Sequence, residues 1–280
     1  MRRENKREKL QFLLSLRAAA LPVSFLMLFV SLTLIVSATY YVSVTKIQAK
    51  GKLLNFTVSK QNMQSFENAI EFIKWSPGSS SVYNFDDSGG IFRIYPTARS
   101  LLINITDNNT FHSSVFNNSI GKAVYQLPSA DTATYTFYMK GDRRAIINES
   151  IHTMTQLYLS AGEIAPELTL TYRPLATVIE TGVSQGKPQN LLRIYIINLN
   201  ESSELVANGQ ASIKAKCISV TPALQTYNLS NPTDTLFVRA ILDERSDQVE
   251  FRIASNANGT IIDVEILVCN IALERIQGDV

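Results

Sequence analysis

Chemistry-bearing side chains are scarce in this chain. It holds two histidines, two cysteines and one tryptophan among 280 residues. His112 and His152 each stand alone in the sequence, and no nucleophile-elbow motif accompanies them, so a Ser-His-Asp arrangement has no local support. A Gly-rich phosphate loop, a zinc spacing and a kinase motif set are all missing. Cys217 and Cys269 are too far apart in sequence to form a metal-ligand motif. The turn Asp86-Asp87-Ser88-Gly89-Gly90 offers oxygens but lacks the 12-residue calcium loop with its terminal Glu. Asp142-Arg143-Arg144 reads as a solvated charged turn. Charge is sparse too, at 18% of residues with a net charge of +2, and the first seventeen residues alone, six basic against two acidic, carry more than that excess. The rest is near neutrality and carries no nucleic-acid footprint. These absences move the reading from catalysis toward binding or assembly, with no metal and no cofactor expected.

What the chain has is a long apolar run. Residues 18–45 contain no charged side chain. At about 1.5 Å per residue such a helix reaches roughly 40 Å, more than the roughly 30 Å hydrocarbon core of a bilayer. The first partner implied is therefore a lipid bilayer, crossed once. Arg2, Arg3, Lys6, Arg7, Lys9 and Arg17 outnumber Glu4 and Glu8 before the run. The positive-inside rule puts this tail in the cytoplasm and residues 46–280 outside the cell membrane. Asn-X-Ser/Thr acceptors at Asn55, Asn104, Asn108, Asn117, Asn148, Asn200, Asn228 and Asn258 all fall on that outer side. They mark either glycosylation of an exported domain or the incidental product of an Asn/Ser/Thr-rich surface. The small residues around Val36-Ser37-Ala38 resemble a signal-peptidase site. The apolar run is about twice the length of a signal-peptide core, and Tyr40 and Tyr41 fit an interfacial anchor. An uncleaved or pilin-type segment accounts for the run better than a removed signal.

An amphipathic pattern follows. Ile47, Leu54, Val58, Phe66, Ile70 and Ile73 recur on one helical face, with Lys46, Lys50, Lys52, Lys60, Gln61, Gln64 and Glu71 elsewhere. Gly51 weakens the middle, and Trp75-Ser76-Pro77-Gly78 ends the helix. Short strands come next. Residues 81–85 and 91–95 flank the Asp86–Gly90 turn as a hairpin, and further strands are expected at 101–106, 122–127, 134–139, 156–159, 168–172 and 176–180. Residues 182–190 read as a linker. Strands at 191–198, 211–220, 235–242, 248–254 and 260–271 then read as a small antiparallel sandwich. The expected fold class is α+β: a long N-terminal helix packed on antiparallel sheet, then a C-terminal β-sandwich-like unit. The expected divisions are a basic tail (1–17), a transmembrane helix (18–45), an amphipathic helix with a first β block (46–181), a linker (182–190) and a C-terminal β unit (191–280). Outside the cell Cys217 and Cys269 can form a disulfide, closing a loop worth a few kcal/mol, or remain two buried thiols.

The basic tail, the apolar helix continuing as an amphipathic helix, and the β domain beyond it together resemble the type IV pilin-like membrane proteins of archaea. Arg17-Ala18-Ala19 is similar to their class III signal, and the resemblance implies cleavage between Ala18 and Ala19. Trp75-Ser-Pro-Gly-Ser79 followed by Ser88-Gly89-Gly90 looks like their helix-to-sheet junction. Five residues into the mature helix, where pilins commonly carry Glu, this chain has Val23. The resemblance implies a single-pass, non-catalytic cell-surface protein that contacts other pilin-like subunits through its transmembrane helix. Small residues at Ala18, Ala19, Ala20, Ser24, Ser31, Ser37 and Ala38 would permit such close approach. A membrane-anchored adhesin or solute-binding ectodomain, and after it an anchored hydrolase, are the alternatives.

Overall fold

The computed structural model describes residues 4–128, 136–148, 152–199 and 205–276, with helix side chains described from residue 23 onward. One helix and thirteen strands are present among them: α1 (Glu4–Ile73), β1 (Ser80–Phe85), β2 (Ile91–Asp107), β3 (His112–Gln126), β4 (Phe137–Lys140), β5 (Thr155–Ser160), β6 (Glu167–Tyr172), β7 (Leu175–Ser184), β8 (Lys187–Asn198), β9 (Leu205–Asn208), β10 (Ala211–Leu229), β11 (Thr235–Leu242), β12 (Arg245–Arg252) and β13 (Thr260–Ile276). The fold class is α+β, one long N-terminal helix and two sheets. The chain divides into two units, Met1–Leu54 and Asn55–Val280.

The N-terminal unit is helix throughout its described length, including Pro22. From residue 23 to 45 its large side chains lie open: Phe25, Leu28, Leu34 and Ile35 are each more than 60% exposed. Hydroxyls in this stretch turn back on the helix. Thr33 donates to the Phe29 carbonyl at 2.9 Å, Thr39 to Ile35 at 2.8 Å, and Ser31 to Leu28 at 2.9 Å. Such back-bonding satisfies the hydroxyl without solvent, leaving an apolar exterior.

In the second unit the helix becomes core. Met63, Phe66, Ile70 and Ile73 are fully buried, at the 3- and 4-residue spacings of one helical face. Phe66 packs against Phe85 (centroids 5.4 Å apart) and edge-on to Phe92 (5.3 Å). The expected stripe is shorter than the sequence suggested: Val58 is half-buried, and Leu54 and Ile47 are exposed. The buried face begins at Ser59 and Asn62, both polar. The helix ends where expected, one turn before Pro77.

The strands form a five-stranded sheet, β1-β10-β13-β8-β7, and an eight-stranded one, β12-β11-β2-β3-β6-β5-β4 with β9 beside β2. Two hydrophobic clusters unite them. One gathers the helix face with residues of both sheets, Phe92, Tyr125 and Leu170 from one and Ile213, Cys217 and Ile271 from the other. In the second, Leu101, Ile103 and Val238 meet Leu192, Ile194 and Val264, sheet against sheet.

This topology corrects three expectations. Residues 182–190 are not a linker: Ser184 pairs with Lys187 across the two-residue turn Gln185-Gly186, and β7 and β8 form a hairpin. Both turn residues have positive φ, 54° and 74°, the pattern of a tight hairpin turn, which glycine meets without steric cost. Residues 191–276 are not a separate sandwich, since β8, β10 and β13 belong to one sheet and β9, β11 and β12 to the other, and β8 pairs with β13 in parallel. The Asp86–Gly90 turn is not a hairpin. β1 pairs with β10 and β2 with β3, so the turn carries the chain between sheets. The helix fixes this crossing. The Asn62 side-chain amide donates to the Asp86 carbonyl (2.9 Å) and its oxygen accepts from the Asp86 N–H (3.3 Å). Ser88 links Ser59 (2.9 Å) to the Tyr125 hydroxyl (2.6 Å).

Candidate functional site

Two features go beyond what the fold itself requires. The first is the open apolar helix of the N-terminal unit. Its helix is long and apolar enough to cross a membrane, and none of its most apolar window is buried. Twelve Leu, Ile, Val and Phe lie between residues 23 and 44. At about 0.3–0.6 kcal/mol each, their transfer into a bilayer favours insertion by on the order of 5 kcal/mol. In water the same side chains would be a large association-prone surface. Tyr40 and Tyr41, both exposed, sit at the end of the run before Lys46 and Lys50.

The second is a cleft of about 390 Å³ in the other unit, lined by Glu71, Lys74, Trp75, Lys140, His152, Thr153, Met154, Leu175 and Tyr195. Five separate pieces of chain build it: the end of α1 with the turn after it, β4, residues 152–154, β7 and β8. The last turn of α1 supplies Glu71 and Lys74, which pair with each other. One turn deeper, Glu67 is only 2% exposed at its side chain and is held by Lys140 of β4 at 2.6 Å. Thr155 of β5 lies between the two carboxylates, 2.7 Å from a Glu67 oxygen and 3.3 Å from a Glu71 oxygen. A hydroxyl has one proton to give, and the shorter contact takes it. The arrangement is a carboxylate pair, but each member is compensated by its own lysine. Beneath it the Tyr172 hydroxyl is buried without a hydrogen-bond partner among the described residues. Burial first, then Glu67 and Glu71, push its pKa well above the usual phenol value.

Trp75 forms the aromatic wall. Its φ is 65°, left-handed, at the helix C-terminus where glycine is the usual residue. A bulky side chain there costs on the order of 1–2 kcal/mol. The return is position: the indole meets the Tyr195 ring edge-to-face at 5.4 Å. Behind this turn lie Cys217 and Cys269. The Gly78 N–H donates to the Cys217 carbonyl at 2.8 Å, and the Trp75 backbone N–H bonds to Cys269. The disulfide that the sequence allowed is not present. Both cysteines are free and buried, with sulfurs 3.6 Å apart. Burial chiefly, with Cys217 alongside, pushes the Cys269 thiol up to about 12.

Asp142-Arg143-Arg144 is a clamp rather than a solvated turn. Arg173, fully buried, bonds through its guanidinium to both Asp142 oxygens, to the Thr153 carbonyl (3.0 Å) and to the Arg144 carbonyl (3.2 Å). The Arg144 and Arg173 guanidinium groups hold the Asp142 carboxyl well below the usual range. A second cleft, of about 350 Å³, has Arg99, Lys122, Tyr138, Tyr158 and Arg245 in its walls, but Arg99 is spent on Asp243 (2.7 Å) and Arg245 on the Tyr138 hydroxyl (2.8 Å).

The other sequence-derived residues scatter. His112 is exposed at the start of β3, whereas His152 lines the Trp75 cleft. No group of three or more His, Cys, Asp or Glu among the described residues could hold a metal. Asn108, Asn117, Asn228 and Asn258 are exposed, while Asn55, Asn104 and Asn148 are half-buried. Asn200 lies outside the described residues, as do the side chains of Ala18 and Ala19. Sequence reasoning singled out Trp75 as a helix terminator and as part of the helix-to-sheet junction, not as a cleft wall, and missed Glu67, Lys140, Thr155 and Arg173. A polar residue on the buried face of α1, as Glu67 is, was the available signal. Comparison with protein-family models, with curated proteins and with solved structures gave no match.

Proposed function

We propose that this chain is a single-pass membrane-anchored surface protein that acts by being placed and by binding, not by catalysis. Residues 18–45 are its anchor, the basic N-terminal tail lies in the cytoplasm, and residues 46–280 stand outside the cell as a pilin-like, glycosylated structural or interaction domain. One observation carries this reading: an apolar helix whose most apolar window finds no burial and whose threonine hydroxyls bond carbonyls of the same helix. The basic flank and the outer position of every sequon support the orientation. Alkaline carbonate treatment of membranes tests the anchor. The full chain stays in the pellet, and a variant with Leu28 and Leu34 both changed to Arg moves to the supernatant. Release of the unaltered chain by carbonate would contradict it. N-terminal sequencing of the mature protein tests the pilin-like processing, which predicts a start at Ala19. Self-association through the anchor predicts crosslinking of single-cysteine variants with a period of about 3.6 residues.

A second reading, an anchored adhesin or solute-binding ectodomain, draws support from the Trp75 cleft, an aromatic wall facing preorganised polar groups.

A further inference from the structure

We propose that the Trp75 cleft binds a neutral saccharide. The proposal rests on the binding reading above and is independent of the anchor. The cleft volume, about 390 Å³, falls within the roughly 300–1,000 Å³ of small-molecule sites. One side is apolar and aromatic: Trp75, Tyr195, Leu175 and Met154. A sugar ring offers a matching C–H face to such a wall. The chain accepts a left-handed backbone at Trp75 to hold the indole there, against Tyr195. Strain kept at a cleft wall points to use of that side chain.

The polar side decides the ligand's charge. Lys74 is paired with Glu71 and Lys140 with Glu67, so the two cations and two carboxylates compensate one another. A phosphate or carboxylate ligand would have to displace Glu71 or face it. A quaternary ammonium would meet Lys74 and Lys140 beside the ring. Hydroxyls fit both: each ammonium has three N–H donors and each carboxylate several lone pairs, and a sugar hydroxyl gives and accepts at once. The buried Glu67, fixed by Thr155 at 2.7 Å, holds Lys140 in place before any ligand arrives. Preorganisation of this kind is what a hydroxyl-reading site needs.

Trp75 is the sole tryptophan, so intrinsic tryptophan emission reads the cleft alone. The full chain, purified in a detergent without a sugar headgroup, is titrated with methyl glucoside, methyl mannoside, methyl galactoside, N-acetylglucosamine and trisaccharides of each. Inorganic phosphate and choline are titrated alongside. At least one saccharide is expected to change Trp75 emission saturably, with a dissociation constant of roughly 1 mM or tighter. Glu71→Gln keeps the reporter and the melting temperature and should weaken that saccharide about tenfold, the loss of one charge-assisted hydrogen bond. Trp75→Ala, followed by saturation-transfer NMR, should abolish binding. A response to phosphate or choline but to no saccharide overturns the ligand class and leaves the binding reading standing. Silence to every probe overturns both. Saccharide binding that survives both Glu71→Gln and Trp75→Ala undiminished places the site elsewhere and overturns the assignment.

Discussion

Lys140 holds the Glu67 carboxylate at 2.6 Å, with one partner almost wholly buried and the other about a third exposed. This ion pair ties the last turns of α1 to β4. Removing one partner strands the other. Lys140→Met should therefore destabilise by about 2 kcal/mol, less than the roughly 3–5 of a fully buried pair because water reaches the lysine end. Glu67→Gln combined with Lys140→Met should recover much of that loss, measured by urea denaturation. A single variant as stable as the parent would show the pair to be a surface decoration.

Two phenylalanines on the same helix make a paired test of its packing. Phe66 is fully buried and Phe72 is 83% exposed. Phe66→Ala should cost about 3–5 kcal/mol and Phe72→Ala no more than about 0.5. Similar melting temperatures for the two variants would mean that the helix does not enter the β unit as described.

Asp142 sets an acid limit. Its folded pKa is depressed by Arg144 and Arg173, so its contribution is complete above the unfolded value near 4 and is lost as pH falls below it. Asp142→Asn should cost roughly 2 kcal/mol at pH 7, because buried Arg173 loses its counter-charge, and less than the roughly 3–5 of a fully buried pair because the Asp142 side chain is 41% exposed and screened by water. The gap between parent and variant should narrow steadily below about pH 4. A gap independent of pH would contradict the clamp.

Cys269 sets an alkaline one. Its folded thiol is raised to about 12, so the contribution is complete below the unfolded value near 8.5 and declines as pH rises from there toward 12. Native protein should react slowly with thiol reagents at pH 8, and unreduced, denatured protein should expose both Cys217 and Cys269. Absence of both thiols after denaturation would establish the disulfide instead.

Much of the fold was legible where local chemistry rules. The end of α1 at Ile73 follows from the downstream Pro77, and β11 at Thr235–Leu242 has the bounds expected for that strand. What failed was long-range. β2 runs through Pro96, with a register shift between Tyr95 and Arg99, and β10 runs through Pro222 where no strand covers its outer side. Bulges and free edges tolerate proline, but in a sequence the proline looks like a stop. The parallel pairing of β8 with β13 joins segments some seventy residues apart, and no local signal encodes it. The cleft was hidden for the same reason, since Trp75, Lys140, Met154, Leu175 and Tyr195 come from five separate segments of the chain.

The central claim is that residues 18–45 cross a membrane and present residues 46–280 outside. Protease added to intact cells tests it most directly. The account predicts loss of the epitope on residues 46–280 and survival of a membrane-bound N-terminal fragment. Full protection in intact cells, with digestion only after lysis, would contradict it.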